Sequence, residues 1–490
     1  MPPRFASLVP SLLLISAALP VVAADSTNPP PTLAPTPVGS PNGSSPSVIG
    51  PNGGQVEVSP GKSQSANRLV YIQGLVDIDF VMLGHYTAAD GDIPDHRNEE
   101  WIRTELGARV EVDDRIEVSV GLAYQGVSGT NSPTQPAGTA ANNNSTSNAP
   151  VDGSSGNAVV NDAFVTLKEF LNSRNLTVEV GRMPVCWNLR KDHAAFLYDS
   201  HANDPTITSW DGARARYNYD TLDFTPYALR MPDNSSLFGA MVDWQPETTG
   251  NDRYFVTASA NLERDIQLNT NDGFASVNAA PVYGSKLYTY YVGADADLSD
   301  VELFGEFAMQ RGTQDANTTF GGFGVSGGVD WHLDTNLVFG LQGDFLSGDD
   351  TDNNAAGTPN TTNHAFINKW SGTSDTLIVE NPKYGRLANL VQGDLEALKA
   401  KFEYALDDRK RVRVKLIYAD YRLAKATTAG TKDFGQEGDF TLAWDYTSNA
   451  TISLLAGAFK PGSAYDSVSL SPNPARDLVY LIAGNLTVKF

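Results

Sequence analysis

The sequence predicts an all-β fold, a transmembrane antiparallel β-barrel of about 18 strands, on three observations. From Leu69 onward apolar residues recur at every second position over stretches of strand length. The connections between these stretches alternate between short polar turns and mostly long loops. A closed barrel in an outer membrane sorts its connections this way, with periplasmic turns and surface loops, whereas a soluble sandwich has no reason to do so. Finally, beyond the N-terminal segment no apolar run approaches the ~20 residues that a spanning helix needs. If the chain enters a membrane, it enters as strands.

Composition narrows the function classes. Lys plus Arg number 35 against 57 Asp plus Glu, a formal charge of −22, which argues against a nucleic-acid partner. The single cysteine, Cys186, excludes an intramolecular disulfide and a thiolate-rich metal site. Three segments follow in order. Residues 1–24 read as an export signal: Arg4, an apolar run from Phe5 to Ala18, and Val22-Ala23-Ala24 before a cut. A membrane anchor is the alternative, and Pro10 and Pro20 interrupt it. Cys186 lies far from the cut, so lipoprotein anchoring is not supported. Residues 25–67, rich in Pro, Ser and Gly, hold too few large apolar side chains to offset ordering entropy and read as a disordered periplasmic leader. Residues 68–490 form the barrel.

The first strand covers 69–82, and loop 83–99 leads to a hairpin of 100–111 and 115–126 around Asp113-Asp114. Loop 127–157 precedes 158–168 and 175–182, joined at Asn172 to Arg174. Loop 183–209 leads to 210–218 and 221–230, which turn at Tyr219-Asp220. The short 231–235 connects to 236–245 and 252–261, joined by Pro246 to Asn251. Loop 262–284 precedes 285–297 and 300–310, turning at Ser299. Connection 311–319 leads to 320–332 and 336–346 around Asp334-Thr335. The longest loop, 347–388, precedes 391–405 and 410–421, turning at Asp407 to Arg409. Loop 422–436 leads to 437–446 and 450–459 across Thr447 to Asn449, and loop 460–476 to the last strand, 477–490. Residues 393–406 also fit an amphipathic helix, but Leu398, Ala400, Phe402 and Tyr404 against Lys399, Lys401 and Glu403 fit a strand. An even strand number puts both chain ends in the periplasm.

The last strand carries Tyr480, Ile482, Leu486, Val488 and the terminal Phe490 on one parity, a pattern that resembles the assembly signal of bacterial outer-membrane barrels. Tyr124, Trp244, Trp331, Trp444, Tyr446 and Tyr480 stand near strand ends, as an interfacial girdle requires.

Charge on the lipid face is costly at mid-membrane, so charged residues opposite the apolar parity should line the bore. The basic candidates are Arg103, Arg109, Arg214, Arg216, Lys399, Lys401, Arg411, Arg413 and Lys415; the acidic ones are Glu105, Glu117, Glu302, Glu306, Asp344 and Glu403. One reading is a basic stripe that guides anions, since guanidinium forks bind carboxylates bidentately. The other is a solvated wall of cross-strand ion pairs.

Two loops need weighing. Asp349, Asp350 and Asp352 offer oxygen ligands suited to Ca²⁺, but Ala355 and Thr361 break the EF-hand pattern, so a solvated acidic loop is the plainer reading. Asp192-His193 with Ser200 and His201 could be an exposed hydrolytic set. No Gly-x-Ser-x-Gly elbow supports it, and no activating partner is identifiable for Cys186. No enzyme and no cofactor are expected.

Trp210-Asp211-Gly212-Ala213-Arg214-Ala215-Arg216-Tyr217, Gly181-Arg182-Met183-Pro184, and Gly343-Asp344-Phe345 with Ser347-Gly348-Asp349-Asp350 resemble the bacterial alginate export family over roughly Leu69 to Phe490. The resemblance implies an eighteen-stranded outer-membrane barrel that passes an anionic polysaccharide through an arginine-rich lumen, with Arg182, Arg214 and Arg216 carried over as pore residues. Arg182 shares parity with Val178 and Val180, so a pore position for it requires a bulge. The leader and the large polar loop 127–157 depart from the family pattern. The expected protein is a porin that passes hydrophilic solutes passively, with anionic saccharides as the solutes the resemblance implies. Its partners would be outer-membrane lipid and the barrel assembly machinery. A non-selective diffusion porin, or an adhesive surface barrel plugged by loop 347–388, are the alternatives.

Overall fold

Each of the eighteen expected strands is found in a computed structural model of the chain, which describes residues 55–57, 69–84, 96–130, 158–185, 196–198, 209–231, 235–248, 252–266, 283–316, 318–348, 361–367, 375–381, 394–426, 430–465 and 478–490. The strands are β1 (Gln55–Glu57), β2 (Leu69–Gly84), β3 (His96–Asp113), β4 (Ile116–Thr130), β5 (Val159–Leu167), β6 (Leu176–Pro184), β7 (Ser209–Tyr219), β8 (Leu222–Arg230), β9 (Ser236–Trp244) and β10 (Arg253–Arg264). There follow β11 (Lys286–Leu298), β12 (Val301–Thr313), β13 (Thr318–Phe320), β14 (Phe323–His332), β15 (Leu337–Leu346), β16 (Thr361–Asn363), β17 (Leu395–Ala405), β18 (Val412–Arg422), β19 (Asp433–Thr447), β20 (Ala450–Pro461) and β21 (Val479–Lys489). β1, β13 and β16 are short additions that the alternation does not announce. The expected leader is corrected at one point: β1 lies within 25–67 and pairs antiparallel with β2, Gln55 opposite Tyr71. The export signal, the rest of the leader, Cys186, the Asp192-His193/Ser200/His201 set and Asp349, Asp350 and Asp352 lie outside the described residues.

The long strands form an antiparallel series of neighbours, and the series closes. β2 pairs with β3 on one side and with β21 on the other, from Leu75 opposite Lys489 to Gly84 opposite Tyr480. Closure gives each of the eighteen long strands two neighbours, as hydrocarbon demands of backbone N–H and C=O groups. Alternation then divides the side chains. Phe80, Leu106, Val120, Phe238, Phe307, Leu398 and Ile482 are exposed on the outer face. Residues of the other parity, such as Asp79, Thr225, Glu306 and Asp330, are buried inward. Residues 393–406 contain a strand, β17, rather than a helix.

The turns owe their tightness to local chemistry. Asp113 accepts the N–H groups of Arg115 and Ile116, both at 2.8 Å. Asp407 accepts those of Arg411 (2.6 Å) and Val412 (2.9 Å). The Val412 N–H, followed by the N–H and guanidinium of Arg411, holds the Asp407 carboxyl below the usual carboxylate range. These are carboxylate versions of Asx turns, which free the chain to reverse at once. Aromatic residues stand outward near the strand ends. Trp331 stacks on Phe339 at 5.8 Å, and Trp444 meets Tyr446 edge-on at 5.3 Å.

The core is not confined to the wall. Pieces of two long loops fold into the loop end of the bore. Leu377, Ile378 and Val379 join the inward residues Leu83, Trp101, Tyr421, Phe459 and Leu481 in one apolar cluster. Phe196, Leu197, Tyr198 and Phe366 join Trp210, Leu229, Met241 and Tyr291 in a second.

Candidate functional site: the charged bore

Below these clusters, toward the turn end, the wall is polar. Arg109 sits 4.8 Å from the centre of the Tyr71 ring and 3.5 Å from Glu117, which also meets Lys168 at 3.2 Å. Arg103 pairs with Glu105, and Arg214 with Glu179. Arg413 reaches Asp445 at 3.1 Å, and Thr451 donates to the same carboxylate at 2.9 Å. Lys401 reaches Asp330 at 2.6 Å across β15. The strand between them presents Gly340, where a Cβ would lie 2.1 Å from the Asp330 carboxylate. The missing side chain is what lets cation and anion meet. Arg411 lies beside Asp407 at the turn, 3.6 Å away.

Most of the expected basic stripe therefore faces inward, and most of it is neutralised. Arg216 and Lys415 differ: no direct ion pair to either occurs among the described residues, although Lys415 lies within electrostatic reach of Asp375 and Asp439. Both take inward parity in the turn half of the bore, Arg216 opposite Thr177 and Lys415 opposite Glu403 and Thr441.

Lys399 has a different place from the one its parity suggests. It is only 3% exposed and touches three carboxylates: Asp344 at 2.7 Å, Asp375 at 2.9 Å and Glu380 at 2.7 Å. Two of these belong to the inserted segment 375–381, so Lys399 and Asp344 fasten a loop rather than line water. The same segment is held from β19. Glu437 accepts the N–H groups of Ile378 (2.6 Å) and Val379 (3.0 Å), and Asp439 accepts that of Leu377 (3.0 Å). Thr376 and Tyr421 share a hydroxyl contact of 2.7 Å. A second segment, 361–367, is held by Gln310, whose amide pairs with the backbone of Ile367 at 2.7 and 2.9 Å.

Arg182 is a correction. It faces outward, with Val180, and forks onto Asp211 through Nε (2.8 Å) and a terminal nitrogen (2.9 Å). Gly181 has a positive φ of 130°, but no bulge reverses the parity: Glu179 and Met183 on either side point inward.

Carboxylates dominate the opposite arc. Asp223, Asp243, Asp297, Glu302, Glu306 and Asp330 take inward parity on β8 to β14, and Arg253 is the one inward Lys or Arg of that arc among the described residues. At the turn end of β7 to β12 a cavity of about 930 Å³ is lined by Asp220, Asp223, Asp243, Glu247, Asp297 and Asp300 with Arg253. The bore thus has one side on which cations and carboxylates alternate and pair, and one on which carboxylates prevail.

Residues 63–471 match the alginate export family. Among solved structures, the chain resembles OccAB4 of Acinetobacter baumannii, with a TM-score of 0.53, 12% identity, and 87% of this chain and 99% of that one covered. The outer membrane protein opdK of Pseudomonas aeruginosa gives a TM-score of 0.53 at 10% identity, covering 86% and 98%. OccK3 (OpdO) of Pseudomonas aeruginosa gives 0.51 at 11%, covering 86% and 95%. At these identities the likeness is one of fold. A comparison with curated proteins finds no match.

Proposed function

The chain belongs to the alginate export family, and from that premise we propose that its bore passes hydrophilic solutes by diffusion and takes anionic saccharides past Arg216 and Lys415. The barrel is a channel of the bacterial outer membrane. The observation that favours anionic solutes is the state of Arg216 and Lys415. Each presents donors to the bore that no described carboxylate occupies. A carboxylate-bearing sugar fits this chemistry: the acid group takes the guanidinium fork or the ammonium, and its hydroxyls bond to neighbouring polar side chains. Passage by diffusion requires no bond to be made or broken.

Reversal potentials across a planar bilayer under a KCl gradient test this reading, combined with block by glucuronate oligomers. Charge reversal in Arg216→Glu/Lys415→Glu should lower the anion-over-cation permeability ratio by roughly threefold or more, because fixed charge in a narrow bore sets the local ion concentration. Block by the acidic sugar should weaken with it. An unchanged ratio would remove both residues from the assignment. The second reading, a non-selective diffusion porin, is favoured by the acidic cavity at the turn end. It calls for cation-tolerant currents that ignore the two substitutions.

A further inference from the structure

The wall beside Arg216 is not a continuous ladder. β8 has a neighbour on each side, yet Pro226 stands in its middle. A proline has no N–H to give, and within sheets it belongs to edges and bulges. The pairing with β9 runs through it unbroken, with Thr225 opposite Met241, Pro226 opposite Ala240 and Tyr227 opposite Gly239. The pairing with β7 does not. It holds from Asp211 to Arg214 and from Tyr217 to Tyr219, and lapses at Ala215 and Arg216. The side of the lapse fixes which bond is missing. A residue with an N–H at position 226 would aim it at the Ala215 carbonyl, and without that donor the ladder opens across both steps.

The gap lies at hydrocarbon depth. Ala240, beside Pro226, stands between Phe238 and Val242, which are exposed in the apolar belt. Lipid offers the Ala215 carbonyl no donor, and backbone left unpaired at membrane depth is tolerated where it lines a water-filled space. The bore side leaves it uncovered. Ala215 and Pro226 take outward parity, so at their level the inner wall is bare backbone framed by Arg214, Arg216, Thr225 and Tyr227. Arg214 leans away to β6, where it bonds Glu179 and, at 3.3 Å, the Pro184 carbonyl. Tyr227 leans the other way over β9, where a Cβ on Gly239 would lie 2.8 Å from its ring, and donates to Asn261 on β10. Thr225 is short and buried, and Arg216 alone of the four is exposed.

A backbone acceptor with no cross-strand donor thus lies beside a guanidinium with no direct ion pair among the described residues. A sugar acid carries both complements on one ring, a hydroxyl and a carboxylate. We infer that Ala215 and Arg216 form one saccharide subsite, in which the Ala215 carbonyl accepts a hydroxyl of a uronate unit whose carboxylate takes the Arg216 fork. The subsite rests on the saccharide reading above and adds to it a means of telling a sugar acid from a simple anion, since chloride has no hydroxyl to donate.

The test restores the missing donor. Pro226→Ala and Pro226→Val both return an N–H to β8 and keep every charge in the bore. With the full-length barrel in planar bilayers, each should weaken block by glucuronate oligomers roughly 3- to 10-fold, the range that one net hydrogen bond covers. The reversal potential in a KCl gradient should keep its wild-type value, because Arg216 and Lys415 are intact. Hydrogen exchange read at residue 226 should be slow in both variants, as it is for a ladder N–H. Wild-type block in both variants, with slow exchange at 226, would overturn the subsite and leave the anion-selective reading standing on Arg216 and Lys415. Fast exchange at 226 would also overturn it, since the carbonyl would then not lie where the proline leaves it open. So would an effect confined to one variant, which would trace to the new side chain and not to the N–H. Absence of block in the wild type would overturn the saccharide reading and the subsite together.

Discussion

Replacing Glu437 and Asp439 together by alanine is expected to release segment 375–381 from the wall and raise single-channel conductance. The magnitudes decide this. Ordering seven backbone residues costs about 7–14 kcal/mol. Burying Leu377, Ile378 and Val379 returns about 1.5–3 kcal/mol each, so apolar contact alone does no more than offset the entropy. The margin rests on polar anchors, namely three N–H bonds to carboxylates and the Lys399 contacts. A hydrogen bond is worth about 0.5–1.5 kcal/mol net, and three are lost together. A net loss of even about 3 kcal/mol moves the docked-to-released ratio roughly 150-fold. Lys399→Met should act in the same direction, because it removes from among Asp344, Asp375 and Glu380 the one cation that touches all three. Conductance traces would show longer or larger open levels in both variants, and limited proteolysis would cut between 375 and 381 only in them. Wild-type conductance and protection in the Glu437/Asp439 variant would mean that the apolar cluster holds the segment unaided.

The same experiment separates a channel from a plugged surface barrel. In a channel narrowed by a fastened loop, weakening the fastening widens a path that already conducts. In an adhesive barrel closed by that loop, wild type carries no current, and current begins only in the variants. The polar turn half favours the first. Its ion pairs, such as Arg413 with Asp445 and Arg109 with Glu117, face a space that apolar packing would otherwise fill.

How far the sequence discloses this arrangement depends on range. Strand parity is local, so Val120, Leu122 and Tyr124 against Glu117 and Ser119 suffice to orient β4. Barrel closure is also legible, because connection lengths sort by side. Pairing partners are not, since register between strands decides that Lys401 meets Asp330 across Gly340 rather than a nearer residue. Parity places Lys399 in the lumen but says nothing of the loop that covers it. That loop does leave a trace. Thr376-Leu377-Ile378-Val379, Ala365-Phe366-Ile367 and Phe196-Leu197-Tyr198 are short apolar runs inside otherwise polar connections. Such runs need somewhere to be buried, and the only apolar interior near a surface loop is the mouth of its own barrel. Arg182 shows the reverse case. Its parity with Val180 points outward, and the structure follows parity rather than the motif that the residue shares with the family.

The second large effect is expected at the seam, where the last strand meets the first long one. Gly74 exchanges two backbone bonds with the terminal Phe490, at 2.8 and 3.0 Å. A Cβ on Gly74 would come within 2.2 Å of the Phe490 ring, and one on Gly84 within 2.2 Å of the Tyr480 ring. An aromatic ring thus lies over a bare glycine at each end of the β2–β21 pairing, shielding the closing backbone bonds on the lipid face. Valine at either glycine must expel its ring, at about 1–3 kcal/mol per site for overpacking. The two sites lie ten residues apart along β2, so Gly74→Val/Gly84→Val should cost about the sum. Urea unfolding in vesicles, followed by heat-modifiable gel mobility, would show a lower midpoint for each single variant and a largely unfolded double variant. Phe490→Ala decides whether ring contact is the cause. Once the ring is gone, Gly74→Val should cost much less than it does in wild type. A Gly74→Val penalty that persists in full without the ring would mean that valine disturbs the β2 backbone itself, and that closure does not depend on the aromatic cover.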